Sequence, residues 1–344
     1  MSRRILVLAA LCAGLLQPAL ARDPEAVPMP DPFDVAAAAN SLVDVTGSKA
    51  LKGVTRVAVP QFSIEFITQD SVSAQTAGFA AAGRASVAGY YRLVGVAEPE
   101  FQALAEQLYA GFVQALQAQG LEVLKPEQLA ASPTWRKLVA GGVPLPRRGD
   151  SAITVAPPGM ALYGASRMAA TTGKKGMLAG LSAMGASFSA VSESLETTTL
   201  QQELGGAALV EVSMRLHFAQ LTNENKGFLG RLASSAAVSA KLHPILTQAR
   251  LSVQQGYEAS VVSTKAPLLL DPAAFTEVRK EATTAGDVAG AVAVGLLRMA
   301  TGSKDSSSYE KYEVVADPAR YSERIAANLS QAHAMLIARM VSER

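Results

Sequence analysis

Leu209-Val-Glu-Val-Ser-Met-Arg-Leu-His-Phe218 alternates apolar and polar residues without a break, and its reading decides the fold. In an extended chain Val210, Val212, Met214, Leu216 and Phe218 point to one side and Glu211, Ser213, Arg215 and His217 to the other, so the stretch reads as a strand with one dry and one wet face. Asn223-Glu-Asn-Lys-Gly227 is a turn signal. The alternation then resumes with Val238, Ala240 and Leu242 against Ser239, Lys241 and His243, and again with Ala249, Leu251 and Val253. The expectation is a three-stranded antiparallel meander at the centre of a sheet.

Upstream, Gly53-Val-Thr-Arg-Val-Ala-Val-Pro-Gln-Phe62 continues through Ile64, Phe66 and Ile67 and predicts a long strand. Pro60 has no N–H to give to a ladder, which places it at an edge, a bulge or a point where pairing stops. After a soft loop over 70–84, residues 85–96 predict a second apolar strand that could pair with the first as a wide hairpin. Glu98-Pro99 opens a helix over 99–119, since proline in the first turn has no donor to lose and Phe101, Leu104, Leu108, Phe112 and Leu116 recur at steps of three and four. Gly120 suits its end, and Leu121-Glu-Val-Leu124 is a short strand. Residues 126–140 read as helical, with Trp135 in a packing role, and 141–150 as a loop.

Residues 188–204 predict an amphipathic helix running into Gly205-Gly206 and the meander. Beyond it, 257–270 adds a strand, 272–281 a short helix and 309–315 a last strand. Asp317-Pro318 supplies a cap and a first-turn proline to a closing helix over 318–341, whose Tyr321, Ile325, Leu329, Leu336 and Met340 form one stripe. The fold class is therefore α+β: one domain over 51–344, a mixed, largely antiparallel sheet with a central meander, and amphipathic helices packed on one face.

The N-terminus sets the expected compartment. Arg3 and Arg4 precede the apolar run Ile5 to Leu16, and small residues stand at 19 and 21, the pattern of a secretory signal peptide over 1–21 cut after Ala21. The one cysteine, Cys12, lies in the apolar run behind Leu11, where a lipoprotein signal needs a small residue. Taking 21 of the 344 residues away leaves 323 without a cysteine, so disulfides and thiol chemistry are excluded and a hydrophobic core must provide the stability. Cleavage removes Arg3 and Arg4 from 31 Lys+Arg, leaving 29 against 29 Asp+Glu. Neutrality argues against nucleic acid or an anionic membrane surface as the main partner, and it weakens the repulsion between copies. Residues 22–50, with four prolines from Pro24 to Pro32, read as a flexible leader that ends in a short helix.

Chemistry-bearing motifs are few. His217, His243 and His333 lack metal-ligand spacing, although His217 and His243 fall on wet strand faces and could meet across the sheet. Gly173-Lys174 lacks the other residues of a phosphate loop, since Met168 and Lys175 stand where glycine and Ser or Thr are needed. Ser308-Tyr-Glu-Lys311 has the Ser-x-x-Lys spacing without a companion motif. No cofactor or metal ligand set is expected. Two soft segments, 160–190 and 285–301, expose Met177, Leu178, Leu181 and Met184 in one and Val292, Val294, Leu296 and Leu297 in the other, and these eight residues form the expected interaction surface. The 285–301 segment is too short to span a bilayer as a helix.

The order of elements resembles the family that contains the curli secretion factor CsgG, the penicillin-binding-protein activator LpoB and the N-terminal domain of TolB. The matching strings are Val57 to Phe62, Phe101 to Leu124 and Leu204 to Val210; Ala207-Ala208 departs from the acidic residue often found there. The resemblance implies a non-enzymatic periplasmic or secreted envelope protein that binds other envelope proteins or copies of itself. The alternatives are a serine-dependent hydrolase or transferase using Ser308 and Lys311, and a small-ligand carrier with a pocket under the 160–190 segment.

Overall fold

The computed structural model describes residues 25–75, 85–163, 196–223, 238–241, 243–281 and 306–344. The chain first forms β1 (Val27–Pro28), α1 (Val35–Leu42), β2 (Val43–Thr46) and a 3-10 turn at Ser48–Leu51, then β3 (Arg56–Ile67), β4 (Gln69–Gln75), β5 (Ala85–Val94) and α2 (Glu98–Ala118). Next come β6 (Glu122–Val123), α3 (Pro126–Ala131), α4 (Pro133–Gly141), β7 (Val143–Pro144), β8 (Arg147–Arg148), β9 (Ala152–Val155), β10 (Ala161–Leu162) and a helix α5 over 196–203. The second half supplies β11 (Ala208–His217), β12 (Gln220–Asn223), β13 (Val238–Lys241), β14 (Ile245–Gln255), β15 (Glu258–Thr264) and β16 (Leu268–Leu269). A 3-10 turn at Pro272–Ala274, β17 (Glu277–Lys280), β18 (Ser306–Val315) and α6 (Pro318–Ser342) complete it.

The fold is α+β, with mixed sheets. β11 lies at the centre of the main sheet, parallel to β3 on one side and antiparallel to β14 on the other, and β15 continues the meander beyond β14. The alternation of 209–218 is realised as expected: Val210, Val212, Met214, Leu216 and Phe218 are all buried. The meander's membership is corrected, however. Residues 238–241 pair with 220–223 as a separate two-stranded ribbon, so the sheet passes directly from β11 to β14. The ribbon is an excursion between them.

Pro60 sits at a bulge. Leu209 faces Ala58 but Glu211 faces Gln61, so β3 spends three residues where β11 spends two. The extra residue switches the parity of β3: Val57 and Val59 face the helices before the bulge, and Phe62, Ile64 and Phe66 after it. On that face α2 and α6 pack against each other and over the sheet, and Ala38 and Ala39 of α1 join the same core. The side chain of Asp317 accepts from Arg320 N–H to cap α6, as its Asp-Pro start requires. Glu100 accepts from the N–H of Ala97 at 3.0 Å at the start of α2. Full burial of Phe62, Phe112, Leu329 and Leu336 contributes roughly 1.5–3 kcal/mol per side chain and makes this layer the main stabilising term.

Among the described residues the opposite face of the sheet is half covered. α3, α4 and α5, with the residues that flank them, lay Leu124, Leu129, Leu138, Leu200 and Leu204 over Ala58, Ala207 and Leu209 as a second, smaller core. α5 ends where Gly205 and Gly206 take φ values of 66° and 78°, and Gly206 N–H bonds back to Gln201 O at 2.8 Å. Helices thus cover part of both faces.

A second sheet of order β17-β18-β5-β4 leaves the body as a ledge. Here three expectations change. The wide hairpin between the first strand and 85–96 does not form, because β5 pairs with β4 and, in parallel, with β18. Residues 70–75 of the predicted soft loop belong to the missing strand, β4. Residues 277–280, expected within a short helix, extend along β18, leaving only a 3-10 turn after Pro272. The 22–50 reading also changes from residue 25 onward. β1 pairs with β16, β2 pairs with β15, and Ala50 and Leu51 are buried, so only the expected short helix, α1, survives of the leader description.

Candidate functional site

Where the described helices leave the second face of the main sheet uncovered, the outward positions of β3, β11, β14 and β15 line a cavity of about 300 Å³. The registers set its rows. Gln61, Glu211, Ser252 and Val261 stand abreast; the next row is Ser63, Ser213, Arg250 and Ser263; the third is Thr154, Glu65, Arg215 and Gln248. Small serines form the floor and long polar side chains the walls. Arg215 and Glu65 close into an ion pair across the third row. Arg250 donates from Nε to Ser252 Oγ at 3.0 Å and makes no ion pair among the described residues. Gln61, buried in the first row, accepts from Tyr163 N–H at 3.1 Å. Burial, then the neighbouring Glu211 carboxylate, pushes the Tyr163 phenol well above its ordinary range.

One end of this trough is stitched to α5. Gln201 donates to Gln254 O and accepts from Gly256 N–H at 2.9 Å, while Gln254 Nε2 donates to Thr197 Oγ1 at 2.8 Å. α5 is itself held to α4 by Glu203, which accepts from Ser132, from the Thr134 hydroxyl and from Thr134 N–H. These hydrogen bonds, that of Ser132 foremost, keep Glu203 below the usual carboxylate range.

The ledge presents a different chemistry. Tyr90, Arg92, Tyr309, Lys311 and Glu313 share one face. Tyr90 and Tyr309 are 50% and 44% exposed and meet edge to face at 6.3 Å. Glu313 binds Arg279 at 2.6 Å and Arg92 at 2.7 Å, and these bonds, that from Arg279 first, hold its carboxyl below the ordinary range. On the other face Tyr91 and Tyr312 stack at 5.0 Å, and a hydrogen bond to Glu310 is the main cause that pushes Tyr312 up to about 12. The ledge is anchored at its root by Leu93 and Val314 in the core and by Ala316 N–H bonding Val94 O at 2.9 Å. Gly95, at φ 93°, permits that contact, for a Cβ there would lie 2.1 Å from Ala316 O.

The histidines do not come together. His217 Nε2 lies 2.8 Å from Asp70 Oδ2, whereas His243 Nδ1 faces Leu270 O at 3.4 Å. Ala219 N–H donates to His217 Nδ1 at 3.1 Å, which leaves Nε2 to carry the proton toward Asp70. Nε2 thus clasps β4 to the end of β11, while Nδ1 braces the turn that leads into β12. Burial opposes ionisation of Asp70, but the bonds from His217 and Ser71 prevail and lower its pKa. His333 is buried between Phe62 and Phe112, with ring centroids 5.4 and 5.3 Å away, and desolvation lowers it to about 3. Ser308 and Lys311 occupy an unbroken strand with regular pairing to Val87 and Tyr90. A separation of three puts those two positions on opposite faces of the sheet.

The expected interaction residues Met177, Leu178, Leu181, Met184, Val292, Val294, Leu296 and Leu297, and the expected signal segment 1–21, lie outside the described residues. Among the described residues no helix is long and apolar enough to cross a membrane, and no group of three His, Cys, Asp or Glu could hold a metal ion. No family model, curated protein or solved structure matches the chain.

Proposed function

We propose that the chain is an exported, non-enzymatic protein of the cell envelope that works by binding another envelope protein, with the Tyr90/Tyr309 face of the ledge as the contact. The observation that carries this reading is where large apolar side chains are left in water. Among the described residues Val35, Tyr90, Tyr257, Val278 and Tyr309 are so exposed, and three of these five belong to the ledge. Tyrosine suits such a role because it offers a rigid apolar surface and a polar tip at small entropic cost. Arg92 and Arg279 are compensated by Glu281 and Glu313. The fitting partner is therefore another protein with a flat, weakly charged surface. The signal-like N-terminus, the neutral balance of the chain after its removal and the resemblance to the CsgG, LpoB and TolB group point the same way.

The test is a photo-crosslinking amino acid placed at 309 and, as a control, at the 81%-exposed Tyr257. In cells of the source organism, position 309 is expected to give a discrete adduct with one partner, and Tyr90→Ser/Tyr309→Ser is expected to lower recovery of that partner about tenfold or more, as loss of an aromatic anchor does. Equal, diffuse labelling from both positions, or undiminished recovery with the double variant, would reject the proposal.

A further inference from the structure

We infer that the trough on the main sheet is a binding site for a small carboxylate that also carries a hydrogen-bond donor, the pattern of an N-acyl amino acid. The inference is independent of the ledge and of the protein partner proposed for it. Its centre is Arg250. Ser252 Oγ accepts from Nε and fixes the plane of the guanidinium, while no carboxylate among the described residues engages it. A guanidinium held at Nε presents its remaining N–H groups as a fork, and a planar two-oxygen anion matches that fork best. Cross-strand neighbours Ser213 and Ser63 leave the space beside it open and offer hydroxyls within the same row.

The other wall sets the second half of the pattern. Glu211 lies one row away from Arg250 on the adjoining strand and lines the same cavity, so a ligand whose carboxylate meets Arg250 brings its next N–H or O–H toward an acceptor. The arrangement also selects against a dianion. Glu65 and Glu211 line the trough beside Arg215 and Arg250, so its charges already balance before a ligand enters, and each negative charge on the ligand beyond the one that meets the Arg250 fork adds repulsion from Glu211. A volume of about 300 Å³ is at the small end of ligand sites, which fits a compound of a few heavy atoms rather than a folded partner.

The experiment titrates the full-length chain, lacking only residues 1–21, with N-acetylglycine, its neutral isostere N-acetylglycinamide, and inorganic phosphate, observed by protein NMR and by thermal shift. N-acetylglycine is expected to give saturable shifts at Ser63, Ser213 and Ser252 amides, with the amide and phosphate at least tenfold weaker. Arg250→Gln is expected to weaken N-acetylglycine about tenfold or more, the loss typical of a charged hydrogen-bonded pair, at an unchanged thermal midpoint. Arg250→Lys keeps the charge without the fork and is expected to recover only part of the affinity; it also serves if the glutamine variant does not fold. The inference is overturned if the neutral amide or phosphate binds as tightly as the acid, if Arg250→Gln and Arg250→Lys bind like the wild type, or if no probe shifts the trough saturably.

Discussion

The main sheet and the ledge are parts of one strand path, separated by a single residue, Thr68, yet they are built to opposite specifications. Before Thr68 the strand carries Phe62, Ile64 and Phe66, each buried under α2 and α6; after it come Ser71 and Ser73, and the apolar cover thins until Tyr90 and Tyr309 stand in water. The first region obtains its order from buried area. The second obtains it from ladder hydrogen bonds, cross-strand pairs and a root fixed by Leu93, Val314 and the close contact at Gly95. The exposed Tyr90/Tyr309 face is thereby kept outside the part of the molecule that buries the most apolar surface.

The comparison breaks hardest at Val212. Aspartate there would place a charge in the centre of a buried face, and the cost, several kcal/mol, is comparable to the whole stability of a domain. The expected outcome is no soluble folded protein; a cooperatively unfolding Val212→Asp chain would refute the burial described for β11. A graded version contrasts Phe62→Ala, expected to lose about 3–5 kcal/mol in urea denaturation, with Tyr309→Ala, expected to stay within about 0.5 kcal/mol. Equal losses would show that the ledge belongs to the same stabilising core.

The smallest effect is a matter of pH. His333 has its folded pKa lowered to about 3 by burial, against an ordinary value near 6.5. The unfolded chain therefore binds the extra proton between those limits, so stability is complete above about pH 6.5 and falls as pH drops toward about 3, by at most roughly 1.4 kcal/mol per pH unit from this group. His333→Leu removes that titration, and its stability is expected to fall less steeply than the wild type between pH 6.5 and 4.5 in denaturant midpoints. Tyr309→Ala is expected to leave the slope unchanged, since the ledge face does not touch His333.

What could be read in advance follows the same division. The strands at 56–67 and 208–217 and the helices at 98–118 and 318–342 were legible because burial on one face imprints a period on the sequence. Gln69-Asp-Ser-Val-Ser-Ala-Gln75 carries no such imprint, since its strand conformation is supplied by β5 rather than by a buried face. Pro272 suggested a helix start at 272–281, but pairing of Val278 with Val314 overrides that local signal. β1 and β2 were hidden for a related reason: each is only two to four residues long and is held by a partner more than 200 residues away. The trough could be anticipated only as a wet face. Its rows join residues such as Glu65 and Arg215 that nothing in their spacing connects.

The bulge at Pro60 has an optical consequence. The chain's only tryptophan, Trp135, packs partly buried on the second core and donates from Nε1 to Pro60 O at 3.4 Å. Intrinsic emission excited in the indole band therefore reports from the α4 side of the sheet, directly behind the parity switch of β3, and carries no signal from the layer where α2 and α6 meet. Among the described residues the longest helices, α2 and α6, lie in that other layer and contribute to circular dichroism at helix wavelengths. Following the two signals through one denaturation curve would show whether the faces of the sheet come apart together or in sequence, with no label added to the protein.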